Sequence, residues 1–262
     1  MIVSLSRQWE ELHADRSVLW QLVRQQLILR YRRTALGYLW TLINPLLMMA
    51  VTALVFAALF KFDLKTYAVF LFAGLIPWNC FSLSIVQSGS SFINNEGLIK
   101  KIYLPKLLFP LSVSLGVLID SILSFFALFV IIISIGGKLS LALLFIPFAF
   151  MLLFFFTFGI ALVISIATVF FRDLQYIVTV IMQALFFLTP ILYNKDALIG
   201  KVAWVIYLNP VVPFIELFRA PLNAASLPSS SVIINAVIFA AISMVIGLAV
   251  FIKFEKKIVF RL

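Results

Sequence analysis

ALGYLWTLINPLLMMAVTALVFAALF, residues Ala35 to Phe60, contains no charged side chain. A helix needs about 20 mostly apolar residues to cross a hydrocarbon layer about 30 Å thick, so this stretch is long enough to span a membrane. Asn44-Pro45 lies inside it and predicts a kink or a late start, because proline removes a backbone donor. Working outward, further apolar runs occupy residues 66–88, broken by Pro77, and 107–135, interrupted by Asp120 and followed by a Gly136-Gly137-Lys138 turn. Residues 139–171 exceed what one straight helix requires, which predicts tilt or an interfacial end. Residues 174–193 close on Thr189-Pro190, and residues 232–252 form the last run. The expected fold class is an all-α integral membrane protein, one domain over residues 1–262 with six transmembrane helices.

Composition agrees. The chain is 64% hydrophobic and 11% charged with a mean hydropathy of +1.17, against about 45–50% apolar and 25% charged in a soluble domain. Cys80 is the single cysteine and His13 the single histidine, which argues against a disulfide, a Cys/His metal site or a Cys-His catalytic pair. The start MIVSLSRQWEELHADRSVLW lacks the short apolar core of a signal peptide, so the first span is expected to direct insertion. A net charge of +10 suggests nucleic acid at first sight, but the basic residues flank the apolar runs and so set orientation in a membrane. With six spans both termini share a side. Only Lys61, Lys65, Lys138, Lys195, Lys201 and Arg219 of the 20 lysines and arginines fall on the other side. The bias places both termini in the cytoplasm.

Three stretches between the spans are distinctive. In residues 17–33, Leu19, Leu22, Val23, Gln26, Leu27 and Arg30 recur at helical spacing, with Arg24, Arg30, Arg32 and Arg33 suited to lipid headgroups. This predicts an amphipathic helix in the interface or a plain juxtamembrane anchor. QSGSSFINNEGLIKKIYLPK, Gln87 to Lys106, is too polar to sit in lipid. Residues 194–231 are only patchily apolar and carry Pro210, Pro213, Glu216 and Arg219, which predicts a pair of short re-entrant helices buried in protein or lining a cavity. Glu216 and Arg219 stand three apart, so a helix would put them on one face.

Asp120 is the clear intramembrane acid, and it reads either as a substrate contact or as a structural group capped by Ser114, Ser121 or Ser124. Tyr38, Trp40, Trp78, Tyr176 and Tyr193 suit interfacial belts and sugar-stacking walls alike, because each joins a flat apolar face to a polar tip. The chain contains no GxxxxGK[ST], HExxH or GxSxG. Any ATP consumed must therefore be bound by another polypeptide.

Six patterns occur in order: RYRRTALGYLWTLINPLL (Arg30 to Leu47), GLIPWNCFSLSI (Gly74 to Ile85), NNEGLIKKIYLPKLLFP (Asn94 to Pro110), VFFRDLQYIV (Val169 to Val178), FFLTPILY (Phe186 to Tyr193) and YLNPVVPFIELFRAPL (Tyr207 to Leu222). Together they resemble the permease subunits of polysaccharide-exporting ATP-binding-cassette transporters of the O-antigen and teichoic-acid type. The resemblance implies a channel-forming subunit that moves a lipid-linked polysaccharide, O-antigen foremost, outward across the inner membrane. It implies a second copy of the chain and two ATPase subunits that bind ATP and Mg, with no cofactor in this chain and no nucleic-acid partner. It further implies a coupling helix at Asn94, Asn95, Glu96, Gly97, Leu98, Ile99, Lys100 and Lys101. A substrate entrance would lie beside the amphipathic helix at Arg24, Arg30, Tyr31, Arg32 and Arg33, among membrane lipids. An external gate would lie at residues 197–222 with Pro210, Pro213, Glu216 and Arg219. The channel-lining candidates are Tyr38, Trp40, Trp78, Asp120, Tyr176 and Tyr193.

Two other classes compete. A membrane-embedded glycosyl- or acyltransferase acting on lipid-linked sugars would need a general base or paired carboxylates near the membrane face, and the acids here are scattered singly. A secondary transporter or channel would be expected to show repeated halves or buried charge.

Overall fold

The computed structural model describes residues 13–29, 34, 36–134, 140–194 and 203–262, and its described residues contain helices and no strand. The expectations placed on Arg30, Tyr31, Arg32 and Arg33, and on residues 135–139 and 195–202, lie outside the described residues. The helices are α1 (Arg16–Leu29), α2 (Trp40–Phe60), α3 (Leu64–Gly89), α4 (Ser91–Asn94), α5 (Glu96–Lys101), α6 (Leu108–Ser134), α7 (Ile146–Phe170), α8 (Leu174–Leu188), α9 (Ala203–Leu208), α10 (Val212–Asn223) and α11 (Ser230–Ile258).

Five of these stretches are long and apolar enough to cross a membrane: Gly37–Phe60, Leu64–Gly89, Leu108–Ile133, Leu141–Phe170 and Ser230–Ile258. The sixth expected span is shorter than the sequence suggests. Helix α8 has 15 residues, about 22 Å at about 1.5 Å per residue. It stops at Leu188 because Thr189 precedes Pro190, and a residue before proline is driven out of the helical region; Thr189 is extended at φ −99°, ψ 131°. The chain still passes from one end of the bundle to the other, since α8 starts near Phe170 while Leu192 accepts a 2.7 Å hydrogen bond from the Tyr67 hydroxyl beside the α2–α3 turn.

Local chemistry sets the other ends. Gly37, at φ +51°, makes the turn into a 3-10 segment, Gly37–Leu39, which leads into α2. The helix starts at Trp40 and runs on through Pro45, so its start lies five residues before the proline near which a kink or late start was expected. Helix α3 is capped by Asp63, whose carboxylate accepts from the Thr66 amide at 3.0 Å and the Thr66 hydroxyl at 2.9 Å.

Helices α3 and α7 form the centre. The most apolar window of each span that contains them is 67% buried, against 17% for those of α2 and α11. The two outer helices thus keep most of their surface for lipid or for another subunit. The packing has two parts. A larger core joins α2, α3, α6, α7 and α10 through Leu71, Phe81, Leu128, Leu153 and Phe214. A smaller one, at the end carrying α1, α5 and the C-terminus of α11, joins Leu22, Phe92, Phe109, Leu162 and Phe251. We call this the basic end, because Lys100, Lys101, Lys256 and Lys257 lie there.

Candidate functional site

A groove of about 810 Å³ runs along α2, α3, α6 and α8, its wall mostly apolar, with Met48, Met49, Leu75 and Ile76, and set with several polar side chains. Asn44 and Thr52 come from α2, Asn79 and Ser82 from α3, and Asp120 and Ser124 from α6. Trp78, Phe186 and Phe187 supply the aromatic wall, with Trp78 edge-on to Phe186 at 5.6 Å. An acid at this depth is costly unless it is paired. Asp120 meets that demand by accepting from the Tyr38 hydroxyl at 2.5 Å, a contact between residues far apart in sequence.

This corrects one expectation. The serines do not cap the Asp120 carboxylate: Ser124 donates to the Asp120 backbone carbonyl, Ser121 to that of Val117, and Ser114 pairs with Ser88. Serine in a helix reaches its own preceding turn more readily than a neighbouring side chain.

Of the six channel-lining candidates, the structure brings three together: Trp78 and Asp120 in the groove and Tyr38 on Asp120. Tyr193 donates to the Phe187 carbonyl and lines a second cavity, of about 760 Å³, that meets the groove at Leu192 and lies beside Phe62, Asp63 and Asn223. Tyr176 and Trp40 are exposed, and neither lines the groove. Asn44, Thr52, Asn79 and Ser82 were not singled out from sequence; their signal is helical spacing, with Asn44 and Thr52 two turns apart and Asn79 and Ser82 one.

At the basic end, α1 presses Leu22 into the smaller core, buries Val23 and packs on α6, with Arg24 exposed. The polar loop folds as α4 and α5. Leu98 and Ile99 pack inward, while Lys101, Ile102 and Tyr103 are exposed, Tyr103 by 80%. Lys100 donates to Glu96 at 2.6 Å, one turn away, a solvent-facing ion pair that contributes little to stability. The Lys100 hydrogen bond, then its charge, holds the Glu96 carboxyl below its usual range, aided by Arg172 and opposed by slight burial. A depressed carboxyl contributes its stabilisation above the ordinary carboxylate range and loses it as pH falls through the lowered value, so α5 keeps this pair at neutral pH. Ile102 and Tyr103 are an apolar addition that the sequence reading of this loop missed.

Between α1 and the α3–α4 corner lies a third cavity, of about 440 Å³. Gln25 and Gln26 line it from α1, and Gln87, Ser90, Ser91, Asn94 and Asn95 from the corner.

At the end opposite the basic one, α10 is packed against α3, α7 and α11. Phe214 stacks on Phe156 at 4.4 Å and Phe218 meets Phe150 edge-on at 4.8 Å. Pro213 stands in its first turn, where a missing amide costs nothing. Pro210 follows Asn209, which donates to Thr189 Oγ1 at 2.8 Å and accepts from the Val211 amide. Arg219 is 4% exposed. Its Nη2 donates to the Ile191 carbonyl at 2.8 Å, its Cζ lies 3.8 Å above the Phe70 ring, and Glu216 is 3.8 Å away.

Residues 17–223 match the family described as ABC-2 type transporter. The chain belongs to that family. An O-antigen export system permease protein of Klebsiella pneumoniae is 34% identical over 203 residues, covering 76% of this chain and 77% of the relative. One from Myxococcus xanthus is 30% identical over 249 residues, covering 94% of this chain and 95% of the relative. As an ABC-2 type permease the chain is a multi-pass transporter subunit, not an enzyme, and works with an ATP-binding subunit. The family match runs from α1 to the end of α10, so it includes α1, the α4–α5 loop and α10.

Proposed function

We propose that this chain is the permease of an O-antigen exporter, carrying a lipid-linked polysaccharide outward across the bacterial inner membrane. The relatives' names point to that cargo. The observation that carries the reading is the groove, where amides, hydroxyls and aromatic faces interrupt an apolar wall, because a glycan is held by hydrogen-bonding groups and flat apolar faces. Two copies assemble, each lending a groove, since the exposed faces of α2 and α11 are left for lipid or a second subunit. Two ATPase subunits hold ATP and Mg and dock at α5. The Asn94 to Lys101 segment transmits their motion, α1 with Arg24 borders the substrate entrance, and α9–α10 with residues 197–222 gates the external end.

The direct test of coupling is Glu96→Arg in the intact host. The substitution removes the Lys100 pair and sets a third positive charge beside Lys100 and Lys101. The permease is expected to insert normally while surface polysaccharide falls tenfold or more, the size of a loss of about 1.4 kcal/mol at the docking surface. Normal surface polysaccharide from that strain would remove α5 from the coupling role.

Six crossings with cytoplasmic termini follow from the basic bias if α8 and its extended Thr189 to Tyr193 turn together make the fifth crossing. Tyr193 before the hairpin and Asn223 after it line one cavity with the α2–α3 turn, which supports a hairpin that enters and leaves on one side. In a Cys80→Ser background, Lys195→Cys and Ser229→Cys are both expected to react with an impermeant thiol reagent applied to intact cells. Labelling at 195 alone would mean that the hairpin crosses.

A further inference from the structure

We propose that the cavity between α1 and the α3–α4 corner binds a neutral, hydroxyl-rich unit of the cargo, a sugar of the glycan, before the chain enters the groove. The inference rests on the exporter reading and assigns it a loading site. At about 440 Å³ the cavity falls within the range of about 300–1,000 Å³ found for small-molecule sites.

Its wall selects the ligand class. Three glutamines, two asparagines and two serines line it, Val113 is the apolar exception, and no charged side chain contributes among the described residues. A phosphate or carboxylate would call for arginine or lysine, and an acyl chain for an apolar wall. Carboxamides and hydroxyls both donate and accept, which matches the neighbouring hydroxyls of a sugar ring.

Two details show a site with capacity left over. Ser91 is 1% exposed, and its Oγ has no hydrogen-bond partner among the described residues, an uncommon state for a buried polar atom. Asn94 and Asn95 donate through Nδ2 to Ser90 Oγ at 3.1 Å and to the Ser91 carbonyl at 2.8 Å. Those bonds fix the amide planes and leave the Oδ1 atoms as acceptors.

Position gives the cavity its place in transport. Gln87 lines both this cavity and the groove that holds Asp120, so the two spaces meet at one side chain. Asn95 also begins α5, where its carbonyl accepts from the Leu98 and Ile99 amides at 3.0 Å. A shift of α5 therefore moves a wall of the cavity. By linkage, a ligand bound there biases the position of α5 in return.

The test uses the complete exporter, permease with its ATPase, in lipid nanodiscs. ATP hydrolysis is measured against the concentration of surface polysaccharide taken from the strain that carries this gene and freed of lipid by mild acid. Ser91→Ala and Gln26→Met are each expected to raise the half-saturating concentration about threefold to tenfold, as the loss of one hydrogen bond implies. Ser91→Ala is the sharper variant, because a purely structural role for an unpartnered hydroxyl predicts no change. Half-saturation at the native concentration in both variants would overturn the inference while leaving the exporter reading intact. Equal stimulation by sugar-free polyprenyl phosphate would overturn it too, by moving recognition to the lipid. A native complex that ignores its own polysaccharide would overturn both.

Discussion

Gly159→Leu is expected to abolish accumulation of the folded protein, and Gly159→Ala to lower its thermal unfolding temperature in detergent by several degrees. The contact between α7 and α11 is the most extensive in the structure, and it is built on small residues. A Cβ placed on Gly159 would run into the backbone carbonyl of Ser243, and one placed on Gly247 would lie 2.8 Å from the Gly159 Cα. Ser243 and Gly247 stand four apart, so this is a small-xxx-small crossing of the kind that lets membrane helices approach closely. Close approach matters because lipid is as apolar as the side chains, leaving van der Waals packing and interhelical hydrogen bonds as the attraction. Here the hydrogen bond is Ser243 Oγ to the Phe156 carbonyl at 2.7 Å. The clash is with backbone, so no rotamer relieves it and the helices must separate. Overpacking of this kind costs about 1–3 kcal/mol or more, against a total stability of about 5–15 kcal/mol. Gly89→Ala is the control: its nearest neighbours would be Ile164 Cγ2 at 3.4 Å and Thr168 Oγ1 at 3.5 Å, ordinary contacts. Accumulation and melting of Gly159→Leu at native values would refute the account.

The spans were legible because lipid imposes a rule that a sequence states directly, a long run without charge. The end of α8 was legible where a single residue decides it, at Pro190. The brevity of α8 was harder to read, because the run from Leu174 to Tyr193 carries no charged residue and only the Thr189-Pro190 pair marks where helix stops and extended chain begins. The Tyr38–Asp120 bond could not be read at all. The two residues stand on different elements, and the competing serines were nearer in sequence; distance along the chain says little about which face of a bundle a side chain reaches. The groove's polar residues show the same gap. Each of Asn44, Asn79 and Ser82 is an ordinary interruption in its own span, and they become one wall only when α2, α3, α6 and α8 are set side by side.

Arg219→Ala is expected to destabilise the protein by about 2–4 kcal/mol, combining a hydrogen bond to a charged donor with a desolvated cation–π contact. The sequence offered the Glu216–Arg219 spacing as a local pair, and the structure gives the arginine a wider role. From α10 its guanidinium stacks on Phe70 of α3 and ties down Ile191 in the turn after α8, so one side chain joins three segments of the bundle. Gly74 leaves room for it, since a Cβ there would stand 3.1 Å from Nη2. Yet Nε and Nη1 have no hydrogen-bond partner among the described residues, and Glu216 is 3.8 Å away. A buried cation so incompletely matched is costly to keep, which argues for a role in the hairpin's position beyond stability. Two further variants separate these effects. Arg219→Met fills the volume without burying charge and is expected to recover part of the lost stability, as replacement of a buried ion by an apolar side chain often does. Arg219→Lys keeps the charge but loses the planar fork that stacks and donates at once, so it is expected to melt below Arg219→Met. With a gating role for the hairpin, Arg219→Met folds and reaches the membrane but exports poorly. A lysine variant that melts at the native temperature would show that charge alone matters there. A methionine variant that exports at the native rate would reduce Arg219 to a structural tie.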